Sequence, residues 1–295
     1  MALEFDPNAD RFSANNALYL ATASAIAYMD EKSALQRTDT DLGLDRNFQF
    51  FDINNPGVTG CNTQAFAAAS STHAILAFRG TEQTNLKDWM SDLTATPADS
   101  QWLFSDAFNV GAIHAGFGNA VADSWSPISD WIRVNVITTG LPLWITGHSL
   151  GGSLAVLSAA VCSYDPQNLV SIHGVYTFGQ PRVGFHNFCQ LVDNRLRARI
   201  FRLVNRKDIV ARVPFRSWDY GDVGQMIHFE STGIPVLESP EWKHFLLQPF
   251  NDFGSFFNML FTVSAGIEDH NIAGYIKAIQ EQQGALDKLE FDLNY

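Results

Sequence analysis

The sequence predicts an α/β protein with a mostly parallel central sheet, helices on both faces and a single domain over residues 1–295. Short apolar runs of strand length alternate with stretches of helical pattern through the middle of the chain. No repeat, low-complexity tract or Gly/Ser/Pro-rich linker divides the sequence. Ligands bind such sheets at the carboxyl ends of the strands, so the functional residues are expected there.

The N-terminal part predicts a helix followed by three strands. Residues 14–29 are rich in Ala, Leu and Ile, which indicates a helix. Strand-like runs follow at residues 48–53, 63–69 and 74–78. The polar residues 70–73 between the last two runs predict a hairpin.

The middle of the chain predicts the parallel part of the sheet. Apolar runs at residues 141–146, 173–178 and 200–205 have strand length. Helical stretches at about 149–162 and 185–195 lie between them, as crossover helices do.

Charge and cysteine content limit the partners. The chain has 31 acidic and 19 basic residues, a net charge of -12, and such a field repels nucleic acid and anionic lipid surfaces. Any contact with a lipid interface must therefore be apolar. The three cysteines lie far apart and are expected to be buried thiols. The oligomeric state is left open.

No targeting or membrane segment is expected in the chain. The first ten residues contain three acidic residues and no basic residue, unlike a secretory signal. No apolar run reaches the roughly 18 residues of a membrane-spanning helix. The compartment stays unknown.

Residues 147–151, with the sequence GHSLG, fit the G-x-S-x-G pattern of a catalytic serine turn. The pattern follows an apolar strand and precedes a helix of small side chains, where such a turn exposes the serine above the sheet. The helix N-terminus favours a developing negative charge. Ser149 is the predicted nucleophile, and the alternative is a glycine-rich helix cap.

Further motifs accompany this turn in order. They are AFRGT at 77–81, DWMSDL at 88–93, HAGF at 114–117 and TFGQPRVG at 177–184. Together with GHSLGG at 147–152, these motifs extend over roughly half of the chain. On the basis of these motifs, the sequence resembles the class 3 lipase family. This resemblance implies an α/β-hydrolase fold and ester hydrolysis through an acyl-enzyme on Ser149, without metal or cofactor.

The acid and base of a catalytic triad should follow the serine in the order acid, then histidine. Asp208 stands just past the strand at 200–205, in a stretch that resembles the family's N-x-x-D-x-V ahead of Pro214. An aspartate in an ordinary turn is the alternative.

Five histidines follow Ser149, and the resemblance favours His270. It precedes the last amphipathic helix, where the family places its histidine with a tyrosine five residues on. His244 and His228 remain alternatives, while His173 and His186 are expected to be structural.

The oxyanion hole and a lid are expected next to the serine. One donor is the N–H of Leu150, the residue after the nucleophile. The resemblance supplies Thr81 as the other donor, with Asp92 orienting its hydroxyl. Residues 82–93 are amphipathic, and the resemblance implies a lid that contacts substrate through Trp89 and Asp92. A core-packing helix and a surface aspartate are the alternatives.

The last third departs from the family. Residues 245–261, within an aromatic segment at 242–265, contain six phenylalanines, and Asp222 stands where the family usually has Tyr-x-His. Ordinary core is the favoured interpretation, because Phe, Leu and Met are commonly buried. An acyl-chain wall, where each buried methylene would contribute about 0.8 kcal/mol, and a lipid-docking surface are the alternatives.

The sequence therefore predicts a lipase that cleaves acylglycerols or other lipid esters. A small-ester carboxylesterase, a phospholipase and a feruloyl esterase of the same fold remain open. A non-catalytic interaction module is disfavoured, because every triad and oxyanion position is filled.

Overall fold

The computed structural model describes residues 2–54, 62–82, 86, 89, 97–99, 111–164, 170–237 and 268–291. The strands are β1 (Arg46–Asn54), β2 (Asn62–Ala69), β3 (Ala74–Phe78), β4 (Pro97–Asp99), β5 (Ala112–His114), β6 (Leu143–His148), β7 (Ile172–Phe178), β8 (Ile200–Asn205), β9 (Gln225–Phe229) and β10 (Pro235–Leu237). The α-helices are α1 (Ala14–Ile26), α2 (Glu31–Leu42), α3 (Ala115–Ile132), α4 (Leu150–Tyr164), α5 (His186–Leu196) and α6 (Ile272–Leu286).

Eight strands in the described part of the chain form one sheet in the order β1-β2-β3-β6-β7-β8-β9-β10. Strands β3, β6, β7, β8 and β9 are parallel. The antiparallel pairs β1–β2, β2–β3 and β9–β10 form the two edges. Register sets Phe78 beside Gly147 and His148 beside Phe178, so the carboxyl ends of the central strands meet at one edge.

Successive side chains of a strand point to opposite faces of the sheet, and every residue of β3 is buried, so both faces of the sheet are covered. In β3, Leu76 and Phe78 belong to one core cluster, whereas Ile75 and Ala77 belong to the other. Helices α3, α4 and α5 contribute to the first cluster, and α1 and α6 contribute to the second. Helix α1 packs against α6, which brings the two ends of the described chain together.

The predicted mostly parallel sheet with helices on both faces is confirmed, and so is the hairpin between β2 and β3. The strand predicted at 141–146 instead spans 143–148, because Gly147 and His148 pair with β7. Helices α2 and α3 were not anticipated; α2 is polar and α3 contains Pro127. The single-domain boundary stays a prediction.

Two further expectations concern membranes and thiols. None of the helices within the described ranges is both long and apolar enough to span a bilayer. Cys162 and Cys189 are buried, as expected, and Cys61 lies outside the described residues.

We predict that Gly174→Ala destabilises the protein by about 1–3 kcal/mol, because overpacking strains a filled core. A Cβ at this position in β7 would overlap the indole of Trp144, the largest fully buried side chain. The matched variant is Gly284→Ala in α6, where a Cβ meets nothing within 4 Å. This variant should gain about 0.5–1 kcal/mol from helix propensity. Urea unfolding measures both, and equal stability of the two variants would contradict the packing described here.

Candidate active site

Ser149 occupies a strained turn between β6 and α4. Its φ is 57°, in the left-handed region that residues other than glycine rarely adopt. The Ser149 N–H donates to the Phe178 carbonyl at 2.9 Å, and the Gly152 N–H donates to the Ser149 carbonyl at 2.9 Å. The strand-to-helix turn is that of a G-x-S-x-G nucleophile elbow.

Two glycines make this turn sterically feasible. A Cβ on Gly147 would overlap the Gly151 carbonyl, and a Cβ on Gly151 would overlap the Phe78 carbonyl at the end of β3. Both obstacles are backbone atoms, which cannot move without disturbing the sheet. The glycines flanking the serine are therefore required by close packing of β6, α4 and β3.

The structure brings Asp208 and His270 into direct contact, and both are buried. Asp208 lies three residues beyond the end of β8, and its Oδ2 is 2.8 Å from His270 Nδ1. Its Oδ1 accepts the Val210 N–H at 2.9 Å. A carboxylate accepts the Nδ1 proton, which leaves Nε2 of the neutral ring able to accept another.

Tyr275 completes the surroundings of the carboxylate. Its hydroxyl donates to Asp208 Oδ2 at 2.5 Å and accepts the Asn205 N–H at 3.0 Å. Burial, with the Asp208 charge beside it, raises the pKa of this hydroxyl well above its usual value, so it stays a donor. Sequence analysis noted only the spacing of this tyrosine from His270 and missed its contact with the acid.

The loop that carries His270 is anchored at several points. Asn205 Nδ2 donates to the Asp269 carbonyl at 3.0 Å, and the Lys207 N–H donates to Asp269 Oδ2 at 3.2 Å. The Asn271 side chain caps α6 by accepting the Ala273 N–H at 2.9 Å. The imidazole is thereby held at a helix start rather than on a long loop.

Ser149 Oγ and His270 Nε2 are buried, and neither has a hydrogen-bond partner among the described residues. The two atoms belong to one region, because the ring of His148 lies 4.5 Å from the ring of His270. Buried polar atoms without partners are uncommon and need an explanation, and a catalytic role would supply one for these two atoms. In structures without substrate, catalytic hydrogen bonds are often not yet formed.

The chain leaving β3 passes directly beside Ser149. A Cβ on Gly80 would overlap the His148 carbonyl and lie 2.9 Å from Ser149 Cβ. Thr81 follows and is partly exposed, as is Leu150 at the start of α4. The two residues predicted as oxyanion donors thus border the serine from two elements.

Other predicted residues lie elsewhere. His228 is buried in β9 with Nε2 2.6 Å from the Arg206 carbonyl, His173 lies in β7, and His186 begins α5. His244, Asp92 and the aromatic segment 242–265 lie outside the described residues.

Within 82–93, Leu86 is buried, and the Trp89 ring lies 6.4 Å from Phe117. The burial of Leu86 and the partial burial of Trp89 are consistent with a core-packing helix and with a closed lid.

Asp222, where the sequence departs from the family, is the centre of an ionic cluster. Its carboxylate pairs with Arg182 at 3.1 Å, with Arg202 at 3.3 Å and with Arg216. Burial raises the pKa of this carboxyl, but the three arginines outweigh that effect and hold it below its usual value. Arg182 also donates to the Arg212 and Pro214 carbonyls, so the cluster fixes the chain that follows Asp208.

No group of three or more His, Cys, Asp or Glu side chains suited to a metal ion occurs among the residues that the structure describes.

Comparison with known proteins agrees with this geometry. The lipase (class 3) family model matches residues 75–218. Triacylglycerol lipase OBL1 of Arabidopsis thaliana is 28% identical over 257 residues, covering 71% of this chain and 48% of that protein. Phospholipase A1-IIalpha of the same plant is 33% identical over 188 residues, covering 56% of this chain and 44% of that protein. The chain thus spans about half the length of these relatives.

Solved structures show the same architecture. Lipase II from Rhizopus niveus has a TM-score of 0.58 at 21% identity, over 74% of this chain and 81% of that one. The native Rhizomucor miehei lipase propeptide complex has a TM-score of 0.56 at 21% identity, over 75% of this chain and 69% of that one. The fold is therefore that of an α/β-hydrolase. Over residues 75–218, the chain matches the class 3 lipase family.

We predict that Gly179→Ala separates Asp208 from His270. Gly179 has a φ of 61°, and a Cβ there would lie 2.5 Å from Asp208 Oδ2 and 2.7 Å from His270 Nδ1. The control is Gly140→Ala, where φ is 72° but a Cβ meets nothing within 4 Å, so it has the backbone strain without the clash. The downfield proton resonance of His270 Nδ1–H should disappear only in Gly179→Ala. Its persistence there would contradict this geometry.

Proposed function

We propose that this protein is a serine carboxyl-ester hydrolase that cleaves lipid esters, with acylglycerols as the leading substrates. The observation that carries the proposal is the buried Asp208–His270 hydrogen bond beside the Ser149 turn. The match to the class 3 lipase family over residues 75–218 supports the same chemistry.

In the proposed mechanism, Ser149 attacks the ester carbonyl while His270 Nε2 takes its proton. Asp208 keeps the proton on Nδ1 and stabilises the imidazolium that forms. His270 then protonates the departing alcohol, which leaves an acyl-enzyme. Water, activated by the same imidazole, attacks the acyl group and regenerates Ser149.

The proposed oxyanion hole consists of the N–H groups of Leu150 and Thr81, aided by the Thr81 hydroxyl with Asp92 orienting it. Removing one such donor typically costs about 3 kcal/mol of barrier. The α4 N-terminus adds its dipole to the same charge. Residues 82–93 are proposed as the lid, with Trp89 contacting substrate, and residues 242–265 as the wall of the acyl site.

Two named relatives define the substrate classes to be compared. One is a triacylglycerol lipase and another is a phospholipase A1, so phospholipid is the second candidate. A net charge of -12 favours an uncharged lipid surface over an anionic one. This charge is the reason for ranking acylglycerols first.

We predict that hydrolysis of p-nitrophenyl esters quickens from acetate to longer acyl chains, because each buried methylene contributes about 0.8 kcal/mol to binding. Ser149→Ala should lower the rate by at least about 10⁴-fold. Ser153→Ala is the matched control, because this buried serine of α4 donates to the Pro181 carbonyl, away from the proposed chemistry. It should keep the wild-type rate.

Emulsified triolein and vesicles of phosphatidylglycerol, an anionic phospholipid, then separate the two lipid classes, with faster release of fatty acid expected from triolein. Equal rates in wild type and Ser149→Ala would overturn the serine mechanism. A preference for acetate without any gain on the emulsion would overturn the lipid assignment.

A further inference from the structure

Tyr28 connects two parts of the candidate active site that are remote in sequence. It lies just after α1, and its hydroxyl is 2.8 Å from Nδ1 of His148, the residue before the nucleophile. The same hydroxyl lies against Gly80, beyond β3, where an added Cβ would be 2.4 Å from it. On the other side of the ring, His148 Nε2 is 2.6 Å from the His270 carbonyl oxygen.

Only one arrangement of protons satisfies these contacts. The His270 carbonyl is an acceptor, so His148 Nε2 must carry a proton and donate it. His148 Nδ1 of the neutral ring is then an acceptor and takes the Tyr28 proton. Donor and acceptor thus alternate from the Tyr28 hydroxyl, through the His148 ring, to the His270 carbonyl.

The neutral state of His148 is also what its surroundings favour. Burial, followed by the charge that His270 acquires, lowers the pKa of His148 well below its usual value. The ring lies 4.5 Å from the His270 ring at an interplanar angle of 34°. A neutral ring in this place adds no repulsion when His270 becomes an imidazolium.

We propose that Tyr28 and His148 are positioning residues, forming a relay that holds the strand end before Thr81 and the loop of His270 in fixed relation. This inference rests on the proposed function, because Thr81 and His270 are the proposed oxyanion donor and base. The packing leaves little freedom: a Cβ on Gly80 would overlap both the Tyr28 hydroxyl and the His148 carbonyl. Neither Tyr28 nor His148 exchanges a proton with substrate.

The test is Tyr28→Phe, which keeps the ring and removes the hydroxyl at the centre of the relay. We expect kcat on the best p-nitrophenyl ester to fall between about 10-fold and 100-fold, as misplacement of a catalytic group does. KM should change by less than about two-fold, since the lost hydroxyl is proposed to position catalytic groups and not to bind substrate.

The matched control is Tyr19→Phe. Tyr19 is a buried tyrosine of α1 whose hydroxyl donates to the Leu42 carbonyl at 2.6 Å, away from the site. Each variant loses a tyrosine hydroxyl together with its hydrogen bonds, which for Tyr19 also include a contact with His73 Nε2 at 3.1 Å, so both should unfold at a lower temperature. Only Tyr28→Phe should lose kcat.

A second measurement needs no ester hydrolysis. Ring ¹⁵N shifts of His148 should report a neutral ring protonated on Nε2 throughout the stable pH range, and Tyr28→Phe should disturb this tautomer. The comparison of esterase activity between the wild type and Ser149→Ala tests the proposed function separately from the relay. An active wild type with unchanged kcat in Tyr28→Phe, or a His148 ring protonated on Nδ1, would overturn the relay and leave the proposed function standing.

Discussion

The arrangement of the site depends on the need to pair one buried carboxylate. Asp208 is fully buried and accepts three donors: His270 Nδ1–H, the Tyr275 hydroxyl and the Val210 N–H. A buried ion that loses its partners costs several kcal/mol. Folding therefore favours the state in which α6 brings His270 and Tyr275 to the end of β8. The same contacts that stabilise the carboxylate fix the imidazole that the proposed chemistry uses.

The parallel sheet supplies the remaining parts, because the carboxyl ends of its neighbouring strands meet at one edge. Gly80 and Thr81 follow β3, Ser149 follows β6, Gly179 follows β7 and Asp208 follows β8. At this edge, some backbone segments lie so close to other backbone atoms, or to the Asp208–His270 pair, that there is no room for a Cβ. Glycine is required at these positions. The Tyr28–His148 contacts add a connection from the end of α1, so that elements from both halves of the chain meet at the serine.

Local pattern was sufficient to predict the serine turn, since an apolar strand, two glycines and a helix of small residues lie next to each other in sequence. His270 was distinguished from His228 and His244 by resemblance, because its contact with Asp208 spans 62 residues that no local pattern connects. The Tyr28–His148 contact spans 120 residues and was missed for the same reason. Helix α3 was missed because Pro127 interrupts its pattern, and the arginine pairing of Asp222 depends on tertiary packing.

The most direct measurement is a crystal structure of the protein after reaction with an alkylphosphonate inhibitor, which mimics the tetrahedral intermediate. The proposed mechanism predicts a bond from phosphorus to Ser149 Oγ, with His270 Nε2 within hydrogen-bond distance of a phosphonate oxygen. It also predicts that the phosphoryl oxygen faces the N–H groups of Leu150 and Thr81. A phosphonate bound to another residue, or one whose phosphoryl oxygen points away from both groups, would contradict it.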